Sequence, residues 1–78
     1  MEDLTKKLQI IDINIGIANE RLKYCETAKN YKNAYRYMKY IYELEMTRKK
    51  VVNQIDRIIM LRSMMLTHMM QKMEPNGL

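Results

Sequence analysis

Tryptophan and phenylalanine are missing from this 78-residue sequence, which also has only one proline, two glycines and one cysteine. Each scarcity excludes something. Pro75 and Gly77 both lie in the last four residues, so Gly16 is the one strong helix breaker in the first 74. A β-rich fold needs turn residues at intervals of about eight to twelve positions, and this chain does not supply them. A lone cysteine, Cys25, can form no internal disulfide and no cysteine-based metal site. It falls on a hydrophobic seam, where free cysteine behaves as a small buried hydrophobe. No long apolar run is present either. The longest strongly apolar stretch is Ile58-Ile59-Met60-Leu61, far short of the roughly 20 residues needed to span a bilayer. The N-terminus, Met1-Glu2-Asp3-Leu4-Thr5-Lys6-Lys7, begins acidic and lacks the apolar core of a signal peptide. The expectation is a soluble, cytoplasmic protein.

What is present is helical patterning and methionine. Hydrophobic residues make up 47% of the chain, too many for compositional disorder, and nine residues are methionine. Leu4, Leu8, Ile11, Ile15, Ala18, Leu22 and Cys25 follow one another at alternating spacings of four and three. Such a seam belongs to a helix that packs lengthwise on another helix. Asp3 can cap its start, and Glu2 and Asp3 suit the positive end of the helix dipole. The phase is lost in Lys29-Asn30-Tyr31-Lys32-Asn33, the best turn candidate in the chain. A second seam follows through Tyr37, Ile41, Leu44, Val51 or Val52, Ile55, Ile58 or Ile59, Met65 or Leu66, Met69 and Met73. Its centre lies roughly 100° away from a continuation of the first. An antiparallel hairpin absorbs that offset, whereas one long helix in a parallel coiled coil would need an irregularity; a three-helix arrangement is the other alternative.

The spacing therefore predicts an all-α, antiparallel, coiled-coil-like two-helix hairpin in one domain. Helix one covers 3–28, the turn about 29–32, helix two 32–73, and a short tail 74–78, with Lys72 in the last turn before Pro75-Asn76-Gly77. At 1.5 Å per residue the helices span roughly 39 and 63 Å. Everything from about Ile58 to Met73 would then overhang, and six of the nine methionines lie in that stretch.

Two further apolar stripes have no use within a hairpin. Ile10, Ile13, Ile17, Tyr24 and Ala28 lie on the far side of helix one. Tyr31, Tyr35, Tyr42 and Met46, continued by Met60 and Met64, do the same on helix two. Burying one such isoleucine is worth about 1.5–3 kcal/mol, and a chain this short, without disulfide or metal, commonly draws stability from association. The expected protein interface is Ile10, Ile13, Ile17, Tyr35, Tyr42, Met46, Met60, Met64, Met65, Met69 and Met73. Methionine is unbranched and polarisable and moulds itself to different partners, or fills a loose homo-oligomeric core. As a membrane anchor it is poor beside tryptophan, phenylalanine or leucine.

Catalytic chemistry finds no support. His68 is the only histidine; Ser63 lies five residues before it, off its helical face, and no nucleophile–base–orienter set assembles. There is no Glu-x-x-His pair for a bundle metal and no glycine-rich phosphate loop. No cofactor and no metal are expected, and no enzymatic activity. Charge is uneven: residues 29–78 hold ten lysines and arginines against four acids, while residues 1–28 hold four against five. Lys32, Arg36, Lys39, Lys50 and Arg57 share one side of helix two, with tyrosines interleaved. That is a candidate anion-binding stripe or simply a solvated face. Arg48 and Arg62 sit on the second seam itself, two heptads apart, where charge either sets register or oligomeric state at a cost in stability or snorkels to the edge.

Two families of short helical hairpins are similar in outline: the small aspartyl-phosphate phosphatases of spore formers and the small co-chaperones of type III secretion. The segment nearest the Ser-Gln-Glu-Leu-Asp motif of the first is Ile41-Tyr42-Glu43-Leu44-Glu45, which lacks the serine and changes the aspartate. Nothing is carried over from either. The usage of isoleucine, lysine, asparagine and tyrosine resembles low-GC genomes and their phages or viruses. The sequence thus reads as a non-enzymatic, protein-binding hairpin, a small regulator, inhibitor or assembly factor of viral or phage type. It would bind itself as a homo-oligomer, or a protein partner of acidic character. The alternative is a small basic nucleic-acid-binding protein that uses the Lys/Arg/Tyr stripe.

Overall fold

The computed structural model describes the backbone of residues 2–73 and the side chains of residues 2–68. Two helices, α1 (Glu2–Thr27) and α2 (Tyr31–Met73), form an antiparallel hairpin, and no strand occurs among the described residues. The molecule measures 72 × 17 × 16 Å with a radius of gyration of 20.8 Å, against about 11–12 Å for a compact globule of this length. It is a rod, so its core is a line.

That line is the pair of seams. On α1 the buried residues are Ile11, Ala18 and Cys25, with Leu4, Leu8, Ile15 and Leu22 half-buried between them. On α2, Ala34, Ile41 and Val51 are buried, and Tyr37, Leu44, Val52, Ile55 and Ile58 are half-buried. Val51, not Val52, takes the central seam position, at 2% exposure. Ala34 opens the α2 seam one step before Tyr37. Its small side chain is buried beside the turn, as is that of Cys25.

Three residues make the turn. The Asn30 N–H donates to the Cys25 carbonyl at 2.8 Å and the Lys29 N–H to the Glu26 carbonyl at 3.1 Å. These are the two bonds of a Schellman cap, which needs a left-handed residue between helix and exit. Lys29 fills that position at φ 56°, where glycine is the usual occupant. Asn30 then starts α2: its carbonyl accepts the Ala34 N–H at 3.0 Å and its Oδ1 accepts the Asn33 N–H at 3.4 Å. One asparagine therefore closes α1 and caps α2, as N-cap asparagines do.

With the turn fixed at 28–30, the length mismatch follows. Glu2 ends α1 near the level of residue 57, and α2 continues alone. Ile59, Met60, Leu61, Met64, Met65 and Leu66 are all exposed.

Candidate functional site

A polar contact ties the helices across the seam. The Arg48 Nε donates to Asp12 Oδ1 at 2.6 Å, with both side chains nearly half exposed. Arg48 occupies a seam position, but an arginine can lie along apolar neighbours and carry its guanidinium to the edge. There it meets Asp12, one residue beyond Ile11. The hydrogen bond first, and the carboxylate's charge second, raise the Arg48 pKa further above its usual value. This pair pins the register of α1 against α2. Arg62, two heptads further on, stands where α1 has already ended and has no such partner among the described residues.

The surfaces α1 leaves uncovered are of two kinds. The overhang is apolar over much of its circumference: Ile59, Met60, Leu61, Met64, Met65 and Leu66 are spread around the axis, interrupted by the exposed Arg62, Ser63, Thr67 and His68. So much exposed apolar surface on one helix end marks an interaction site. Met60, Leu61, Met64 and Met65 border a shallow apolar depression with His68 at its rim; it is open on one helix and encloses nothing. Met69 and Met73 lie on α2, with side chains outside the described residues.

The second kind is the outer stripes of the paired body. Ile10, Ile13 and Ile17 are exposed, Ile13 at 61%. Tyr35, Tyr42 and Met46 are exposed on α2, and Met38, which the seam pattern did not single out, joins them. The hairpin does not merge these stripes into one patch. Ile17 borders the groove that holds Tyr37 and Tyr40, whereas Lys49, next to Met46 along the α2 stripe, borders the opposite groove with Asp12 and Arg48. The molecule therefore presents apolar surface to two sides and at one end.

Lys32, Arg36, Lys39, Lys50 and Arg57 are all exposed along α2, and Arg36 lies beside Tyr37 and Tyr40. None of the five makes an ion pair among the described residues. Cys25 is buried in the seam. Among the described residues no group of histidine, cysteine, aspartate or glutamate could hold a metal, and no described helix is long and apolar enough to cross a membrane. Set against known protein families, curated proteins and solved structures, the chain finds no match in any of the three.

Proposed function

We propose that this chain is a non-enzymatic, protein-binding helical hairpin, a small regulator, inhibitor or assembly factor of viral or phage type. The observation that carries the reading is the overhang: six large apolar side chains from Ile59 to Leu66 exposed on one helix end. At about 25 cal/mol per Å² of apolar surface removed from water, that end stabilises any complex that covers it. Its methionines fit a partner surface of irregular shape. Its partner is a second copy of the chain or another protein; residues 29–78, with ten cations against four acids, would favour an acidic one among the latter, because complementary charge steers encounter.

The test is affinity capture from the cells the protein comes from, with Met65→Glu and Ile13→Glu variants as controls. The reading expects captured protein to be lost with one or both variants. Recovery of the same proteins with both variants would overturn it.

A second reading rests on the exposed cations of α2, of which Arg36 lies beside Tyr37 and Tyr40. A stripe of that kind binds nucleic acid through phosphates and base stacking. Replacing Lys32, Arg36 and Lys39 together with glutamate should then abolish a salt-sensitive mobility shift of DNA or RNA. The absence of any shift in low salt removes this reading.

A further inference from the structure

Four of the six apolar residues on the open stripe of α2 are mirror-spaced. Tyr35, Met38, Tyr42, Met46, Met60 and Met64 are all exposed and fall within about 80° of the helix circumference. Their midpoint lies between Lys49 and Asn53. Tyr42 and Met60 stand nine residues to either side of it, and Met38 and Met64 stand thirteen. Tyr35 and Met46 stand opposite Thr67 and Asp56, so it is Met38, Tyr42, Met60 and Met64 that meet apolar partners in a reversed copy.

We propose that a second copy of this chain docks antiparallel along this stripe, back to back, with Tyr42 of each copy level with Met60 of the other. This inference rests on the protein-binding reading above and names one partner for it. One complementary charge pair supports this partner and its direction. Lys49, Asn53 and Asp56 sit on the stripe between the two apolar clusters, all exposed. Lys49 and Asp56 have no ion-pair partner among the described residues. In the antiparallel arrangement Lys49 lies level with Asn53 of the second copy and one helical turn from its Asp56, on the same side of the contact. Two Lys49–Asp56 pairs result. A parallel copy would instead stack Lys49 on Lys49 at the centre of the contact, where like charges repel.

The contact is also sizeable. The six apolar side chains leave on the order of 700 Å² exposed per copy, the most they can bury, against the roughly 800 Å² that each partner contributes to a standard stable interface. Tyrosine rings facing methionine sulfurs add favourable sulfur–aromatic contacts. α1 does not obstruct the approach, since it packs on the other side of α2. Leu61, Met65 and Leu66 stay outside this contact and open to a different protein.

Light scattering and sedimentation of the whole chain test the proposal, joined to two sets of variants. The wild type should be a dimer. Lys49→Glu should weaken it at least about tenfold by setting glutamate against Asp56, and adding Asp56→Lys should restore it. Circular dichroism confirms that both variants keep their helix. Orientation is read by oxidation in a Cys25→Ala background. Tyr42→Cys mixed with Met60→Cys should give a disulfide between the two variants, and neither should cross-link to itself. A monomer at every concentration, self-linked Tyr42→Cys, or a Lys49→Glu variant that dimerises unchanged would each overturn the proposal. These outcomes are separable from the capture experiment. That experiment reads Met65 and Ile13, neither on the stripe, so a monomer that still captures protein through Met65 leaves the general reading standing.

Discussion

Replacing Lys29 by glycine should stabilise this protein. Lys29 sits at φ 56°, a conformation that sets Cβ against the backbone and costs an L-residue roughly 1–2 kcal/mol. Glycine removes that strain and keeps the N–H that bonds to Glu26. Against the gain stands the greater freedom of glycine in the unfolded chain, about 0.5–1 kcal/mol. The net expectation is about 0.5–1 kcal/mol of added stability. Domains of this size shift their melting temperature by roughly 4–8 °C per kcal/mol, so the change is readable by thermal circular dichroism. Wild type and variant must be compared at one protein concentration, because self-association makes the midpoint concentration-dependent. Lys29→Val is the opposite control, since a branched residue at positive φ is a steric outlier, and it should melt lower. A Lys29→Gly variant no more stable than wild type would show that residue 29 is not the left-handed hinge. The end of α1, and with it the start of the overhang, would then have to move.

Two further substitutions test the helices themselves. Gly16 lies inside α1 with nothing within 4 Å of where a Cβ would stand, so Gly16→Ala should add about 0.5–1 kcal/mol in denaturant unfolding. A loss would mean that something covers that side of α1. Val51→Ala should cost about 2 kcal/mol, from two methyl groups of a side chain 2% exposed and the space they leave. Val52→Ala, half-buried, should cost less than about half as much, and equal losses would contradict the register.

The two seams and the inequality of the helices were legible in the sequence because they are local properties. Alternating spacings of four and three make a stripe whatever lies opposite, and the rise per residue turns a break near Asn30 into two lengths. Ala34 was not read as core, because alanine is too small to stand out in an apolar pattern; its burial comes from the closeness of the helices at the turn. The seam arginine at 48 was visible, but its partner was not. Asp12 is 36 residues away, and only the pairing of α1 with α2 brings it there. The turn was placed by its asparagines, yet the left-handed residue is Lys29, which no propensity would choose; the tight closure between Cys25 and Asn30 imposes it. The candidate interface residues were legible as surplus: apolar positions off the seam in a hairpin have nothing inside the chain to cover them. Met38 on the α2 stripe, and the mirror spacing about residue 51, emerge only once that whole face is known to be open.

Backbone hydrogen exchange along α2, followed from dilute to concentrated protein, tests most directly the claim that the end of α2 is uncovered within the chain and serves as a binding surface. Unpacked helix ends open readily, whereas packed segments open only with the fold. In dilute solution residues 59–68 should exchange much faster than residues 34–58. With rising concentration, protection should appear at 60–67 together with 35–46. Residues 59–68 as slow as 34–58 at the lowest concentration would contradict the account, because the end of α2 would then be covered inside a single chain.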